Sequence, residues 1–207
     1  MKEGRLFIVS APSGAGKTSL VAALLTRDDN LVVSVSHTTR ARRPKETDGV
    51  DYYFVDPETF AAMVDEGAFL EHAEVFGNRY GTSRFAVAGE LARGHDVVLE
   101  IDWQGACMVR AEFPDTLDIF ILPPSLAELA ARLKARGEDN PEVISRRMDE
   151  AQKEMSHYDD YANLVVNDNF EVALSHMAAI VEAARCGKRL PRQDVKTLVD
   201  ELLSENQ

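Results

Sequence analysis

The sequence predicts an α/β protein with a parallel-sheet core, a small mixed-β insertion and a lid. Three observations predict it. Short apolar strands alternate with helix signals along most of the 207 residues, the order that builds a parallel sheet with helices on both faces. The first strand runs into a Gly-rich loop that ends in Lys17-Thr18 at the start of a helix, the context in which a loop cradles phosphate. Between about residues 35 and 85 the rhythm breaks into short strands around one helix.

The elements follow in order. Leu6–Ser10 reads as a buried strand and Thr18–Leu25 as the helix after it. Asp51–Val55, Phe69–Val75 and Arg79–Thr82 read as short strands, with a helix between the first two that Asp56-Pro57 opens. Asp96–Asp102 is a core strand ending in acid, Ile119–Leu122 a third and Leu164–Val166 a fourth. Ser125-Leu-Ala-Glu128 is a capping box for a helix through Arg136. Asn140-Pro141 opens another, through about Ser156. Amphipathic helices cover Phe170–Arg185 and Asp194–Leu203. The polar tip between the two middle helices, 137–140, reads as a mobile lid tip.

Composition narrows the chemistry. Apolar residues make up 45% and charged residues 28%, ordinary for a globular chain of one domain, with or without an insertion. No apolar run reaches the length of a membrane span, and Leu6–Val9 is too short for a signal peptide. Cys107 and Cys186 have no metal or redox spacing and fit a reducing compartment, so the cytoplasm is expected. A net charge of −12 argues against nucleic-acid and membrane partners. The five histidines are scattered and form no ligand set. Self-association is left open.

The loop Ala11-Pro12-Ser13-Gly14-Ala15-Gly16-Lys17-Thr18-Ser19 carries the sharpest chemistry. Its backbone N–H groups and the helix N-terminus wrap an anion. Lys17 reaches the β- and γ-phosphates, and the Thr18 hydroxyl is a ligand for Mg²⁺. Gly14 and Gly16 let the backbone approach a phosphate where a Cβ would clash. Ala11 stands where the pattern has its first Gly. Basic residues are scarce yet grouped: Arg40, Arg42, Arg43 and Lys45; Arg132, Lys134 and Arg136; Arg146 and Arg147. Such groups are either solvated faces balanced by acids or phosphate sites, and beside this loop phosphate is the better explanation.

Several runs together resemble the guanylate kinases. They are Ala11–Ser19, Val35-Ser-His-Thr-Thr-Arg40, Asp51-Tyr52, Phe69-Leu-Glu71, Gly77-Asn-Arg-Tyr-Gly-Thr82, Glu100-Ile-Asp-Trp-Gln-Gly105, Ile121-Leu-Pro-Pro-Ser125, Arg132-Leu-Lys-Ala-Arg136 and Val166-Asn-Asp168. The resemblance implies a three-layer P-loop NTPase fold. Its core is 1–34 with 84–207, its lid about 126–156, and its GMP-binding insertion 35–83. It also implies Mg²⁺-dependent transfer of the ATP γ-phosphoryl group to GMP, with ATP and GMP as the partners.

The resemblance also places residues. Ala11 to Ser19 hold ATP, and Asn167 faces its adenine. Guanine offers N–H donors at N1 and the 2-amino group; Glu71 is placed to accept both, with Ser36 and Thr82 aimed at the base. Adenine carries an acceptor at N1, which would face that carboxylate unpaired. Arg40, Arg43, Tyr52 and Tyr80 grip the GMP phosphate. Glu100 and Asp102 lie at the edge of the GMP site. Lys17, Arg132, Arg136 and Arg147 act on the transferring group. Arg132 and Arg136, four apart, share a helix face; an ion pair with Glu128 is the structural alternative for Arg132. Arg42 stands where the family has Pro and Lys45 where it has Gly, so Arg42 is an alternative to Arg43. Arg79 stands where an aromatic is common. Two rivals remain on residues alone: a non-catalytic phosphopeptide-binding relative, and a kinase for another phosphorylated acceptor. The intact Lys17, Thr18, Arg136 and Arg147 oppose the first, and Glu71 with Ser36 and Thr82 the second.

Overall fold

Continuous apolar runs become the strands of one buried sheet. The computed structural model describes residues 3–75, 77–135 and 141–204. Among these, the strands are β1 (Leu6–Ser10), β2 (Leu31–Val33), β3 (His37–Thr38), β4 (Tyr53–Phe54), β5 (Phe69–Val75), β6 (Asn78–Ser83), β7 (Asp96–Glu100), β8 (Leu117–Leu122) and β9 (Asn163–Val166). The helices are α1 (Lys17–Arg27), α2 (Pro57–Asp65), α3 (Arg84–Ala92), α4 (Trp103–Glu112), α5 (Leu126–Ala135), α6 (Pro141–Met155), α7 (Phe170–Arg185) and α8 (Lys196–Leu203). Five strands form a parallel sheet in the order β2-β7-β1-β8-β9, and four form a mixed sheet in the order β4-β3-β6-β5. Phe7, Ile8, Val98, Leu99, Ile119, Ile121 and Leu122 are at most 1% exposed, as a parallel sheet covered on both faces requires. None of the described helices is long and apolar enough to cross a membrane.

The chain divides into two compact units. The first holds Met1–Ile8 and Asp29–Thr116. In it β2 pairs with β7 in parallel, Leu31 opposite Asp96 and Val33 opposite Val98. The buried Asp96 carboxylate accepts the Arg5 N–H at 2.7 Å. The mixed sheet lies within this unit, with α2 opened as expected: Asp56 accepts from Thr59 N–H, and Pro57 is the first helical residue. The second unit holds Val9–Asp28 and Leu117–Gln207. There β8 and β9 pair in parallel, Ile119 opposite Asn163 and Leu122 opposite Val166. Ser125 Oγ accepts the Glu128 N–H at 3.1 Å, the expected cap of α5.

The structure corrects several boundaries. The strand expected over 96–102 stops at Glu100. Asp102 instead caps α4, its Oδ1 accepting the Gly105 N–H at 2.9 Å. Asp51–Val55 shrinks to the two residues of β4, with an isolated bridge between Asp48 and Tyr52. β2, β3, α3 and α4 were not anticipated. β3 is two residues paired to β4 and β6, so it has too few side chains for a period. α3 carries Gly89 and α4 carries Gly105 and Cys107, residues that weaken a helical signal. The lid tip 137–140 lies outside the described residues.

Candidate active site

In the first unit, a register shift between β5 and β6 sets the position of the Glu71 carboxylate. β5 and β6 pair antiparallel, Phe69 opposite Ser83, and the register then slips so that Glu71 faces Thr82. A bulge re-aims the side chains that follow it. Glu71 is 3% exposed and Thr82 fully buried. The Thr82 hydroxyl donates to Glu71 Oε1 at 2.5 Å. Oε2 lies over the first turn of α4, where a Cβ on Gly105 would stand 2.4 Å from it. Gly105 is thus a member of the site that no motif singled out for this role. Ser36 is half-buried, and its carbonyl accepts the Tyr53 N–H at 2.9 Å.

The expected phosphate residues gather around Arg40. Its guanidinium carbon lies 5.4 Å from the centre of the Tyr52 ring. Tyr52 and Tyr80 meet edge to face with centroids 5.9 Å apart. Burial raises the Tyr52 phenol pKa, Tyr80 and Glu100 add to the rise, and Arg40 opposes it. Tyr52, Tyr80, Arg40 and Glu100 therefore share one electrostatic neighbourhood. A residue outside the expected set completes it. Glu46 takes the Arg40 guanidinium at 2.7 Å and the Arg43 N–H at 2.8 Å. Burial pushes the Glu46 carboxyl up, but the Arg40 and Arg43 contacts outweigh it and hold it below the ordinary carboxylate range. Arg43 stays 61% exposed. Arg42 turns its guanidinium to the Glu46 carbonyl at 3.4 Å. Asp102 is engaged by the Gly105 N–H and by Gln104 Nε2, both at 2.9 Å.

In the second unit, β1 enters the Gly-rich loop and α1 leaves it. Gly14 and Gly16 have φ of 91° and 96°, the left-handed region that only glycine enters without strain. At Gly14 a Cβ would stand 2.9 Å from Leu129 Cδ1, and at Gly16 it would stand 2.4 Å from Asn167 Nδ2. Gly16 is the N-cap of α1 and supplies no side-chain cap, so this helix start presents backbone donors in the way anion sites use. Pro12 and Ala15 are buried, while Ala11, Ser13 and Lys17 are half-buried and Thr18 and Ser19 exposed.

Asn167 is built into that loop. It is 5% exposed, and its side-chain amide donates to the Ala15 carbonyl at 2.7 Å. Its own carbonyl accepts from Arg132 NH2 at 3.1 Å. Arg132 also donates from Nε to Glu128 at 2.8 Å, the helix pair foreseen as the structural alternative. Glu154 on α6 accepts the Ser13 N–H at 3.1 Å, a contact with no sequence signal because 141 residues separate the two. Arg147 lies half-buried on the same helix. Arg136 lies outside the described residues.

Comparison with known proteins accords with this geometry. The guanylate kinase family profile matches residues 3–184. The guanylate kinase of Alkalilimnicola ehrlichii is 60% identical over 191 residues, 92% of this chain and 93% of that protein. That of Yersinia pestis is 51% identical over 207 residues, 99% of this chain and all of the other. The crystal structure of guanylate kinase from Anaplasma phagocytophilum superposes with a TM-score of 0.73 at 34% identity, covering 99% of this chain and 98% of its own. A family profile over most of the chain, and relatives 51–60% identical over nearly their whole length, lead to one conclusion: the chain belongs to the guanylate kinase family, the enzymes that transfer a phosphoryl group from ATP to GMP.

Proposed function

We propose the following division of labour for the ATP:GMP phosphotransfer. The segment 35–83, with Glu100 and Asp102, binds GMP. Glu71 accepts guanine N1–H and the 2-amino group, Thr82 holds that carboxylate in place, and Ser36 borders the base. Arg40, Arg43, Tyr52 and Tyr80 take the GMP phosphate. Ala11 to Ser19 bind the ATP phosphates, and Asn167 braces the loop at that nucleotide. The segment of about 126–156 is the lid, and it brings Arg132, Arg136 and Arg147 to the transferring group.

A phosphate oxygen of GMP attacks the γ-phosphorus, the bond to the bridging oxygen breaks, and ADP departs. Charge spreads over three equatorial oxygens, so positioned cations carry most of the catalysis. Lys17 supplies one at the loop. Thr18, exposed in the first turn of α1, offers the hard oxygen that Mg²⁺ takes. When bound with ATP, Mg²⁺ neutralises charge on the β- and γ-phosphates. Cys107 and Cys186 are free thiols, which supports a reducing, cytoplasmic setting.

The buried Glu71–Thr82 pair carries this reading. A buried carboxylate held by the Thr82 hydroxyl is a fixed acceptor, and guanine offers two N–H donors to such a group. The test is ADP release with GMP, AMP, CMP and UMP as acceptors. GMP is expected to exceed each other acceptor by about 10²-fold or more in kcat/KM. Turnover of AMP or UMP within tenfold of GMP would refute guanine selection.

A further inference from the structure

A helix far away in sequence holds the corner of the Gly-rich loop. Pro12 to Ala15 close a tight turn: the Ala15 N–H donates to the Pro12 carbonyl at 3.1 Å. Gly14 takes the third position with φ of 91°, a corner that suits glycine. The turn's own hydrogen bond makes no use of the Ser13 N–H. Glu154 Oε2 accepts that N–H at 3.1 Å from α6. α5 backs the same corner, since a Cβ on Gly14 would stand 2.9 Å from Leu129 Cδ1 and 3.1 Å from Leu133 Cδ2.

α6 is packed at its loop end. Ala151 and Met155, both near the end of the helix, are fully buried. Gln152 lies about 200° around the helix from Glu154, and its Nε2 donates to the Leu202 carbonyl of α8 at 3.1 Å. The end of α6 is therefore gripped by α8 on one side and by the loop on the other. Arg147 precedes Glu154 by close to two full turns, so it shares that face, about 10 Å along the axis. One face of one helix thus carries the anion that holds the loop and the half-buried cation assigned to the transferring group.

We propose that Glu154 is a positioning residue for phosphoryl transfer. By tying the Ser13 N–H to α6, it fixes Arg147 relative to the loop on which the ATP phosphates sit. This rests on the reading that Arg147 acts on the transferring group. Two effects of Glu154 oppose each other, and they fall on different quantities. A misplaced Arg147 loses stabilisation of charge that develops only in transfer, which lowers kcat. The negative charge of Glu154 repels a polyphosphate already in the ground state, which weakens ATP binding. Positioning dominates, because the contact to the loop is direct while Lys17 and solvent screen the repulsion.

The experiment measures kcat at saturating ATP and GMP, and calorimetric affinity for GMP and for a non-hydrolysable ATP analogue. The proteins are wild type, Glu154→Gln, Glu154→Asp, Arg147→Ala and the Glu154→Asp/Arg147→Ala double variant. Gln loses the charge and keeps an oxygen that reaches the Ser13 N–H. Asp keeps the charge and withdraws the oxygen by one methylene. Glu154→Asp is expected to lower kcat about tenfold, the size of one lost charge-assisted contact, with GMP affinity within twofold of wild type. Glu154→Gln is expected to stay within threefold of wild type in kcat. In the Arg147→Ala background, Glu154→Asp is expected to cost less than threefold, because the two act as a unit. The reverse order, Gln impaired and Asp intact, overturns the proposal by making the charge the active feature. Tighter analogue binding in Glu154→Gln with kcat raised also overturns it, since Glu154 would then be an anion that ATP must displace. A matching loss of GMP affinity would make Glu154 a fold residue and overturns it too. If Arg147→Ala leaves kcat intact, the proposal falls with the placement of Arg147. A low kcat in Arg147→Ala with none of the Glu154 effects overturns this proposal alone.

Discussion

His37 shows how a single side chain in the mixed sheet feels its surroundings. It stacks on Tyr53 with centroids 4.8 Å apart and meets the edge of Phe69 at 5.5 Å. Its Nδ1 is buried with no hydrogen-bond partner. Burial lowers its pKa, and the nearby Asp48 carboxylate only partly offsets this. The fold therefore favours the neutral ring. Above the unfolded value of about 6.5 neither state is charged and His37 contributes no pH dependence. As pH falls below it, the unfolded chain binds the proton first, so stability drops until the folded pKa is reached. His176 is lowered by burial in the same sense. Urea melts between pH 7.5 and 5.5 are expected to show stability falling with pH, with a shallower fall in His37→Gln. An unchanged slope in that variant would show that His37 is not desolvated. Glu46, at the same scale, was invisible in the sequence. Its importance comes from folding back on Arg40 and Arg43, and an acid beside basic residues otherwise reads as ordinary charge balance.

Elements were legible where they were long and apolar. β1, β8, β9, α5 and α7 follow from hydrophobic runs and caps, and Asn169 caps α7 by accepting the Val172 N–H. The Gly-rich loop followed from its glycines, since φ values of 91° and 96° are what those positions demand. In the mixed sheet β5 matches the expected Phe69–Val75 and β6 extends Arg79–Thr82 by one residue at each end, whereas the two-residue β3 and β4 are too short for a side-chain period to mark them. Asp102 was read as the end of a strand because an acid after an apolar run marks either a strand end or a helix cap. The two are told apart only by where the Gly105 N–H points. α4 then presents Gly105 to Glu71, a close approach between helix and strand that leaves no room for a methyl group. Gly105→Ala is expected to displace the Glu71 carboxylate and raise KM for GMP by about tenfold or more, leaving KM for ATP within twofold. Equal effects on both substrates would mean that Gly105 serves the fold at large.

At the scale of the whole molecule, the residues assigned to GMP fall in one compact unit and the Gly-rich loop in the other. That separation predicts separable defects. Lys17→Ala is expected to abolish most turnover while GMP affinity, read by calorimetry, stays within twofold. Activity within about tenfold of wild type, ~1.4 kcal/mol of transition-state stabilisation, would remove Lys17 from the transfer step. Recognition of the acceptor base by Glu71 is tested most directly by the steady-state preference for GMP over IMP in wild type and Glu71→Gln. IMP lacks the 2-amino group, so it makes one of the two proposed bonds to Glu71. Gln offers one neutral acceptor and sets a donor against a guanine donor, an unpaired polar contact worth about 1–3 kcal/mol or more where a charge was lost. The prediction is a loss of about 10²-fold or more in kcat/KM for GMP, a smaller loss for IMP, and a preference that shrinks accordingly. A preference unchanged in Glu71→Gln, or GMP activity that survives intact, would contradict it and move recognition of the base away from Glu71.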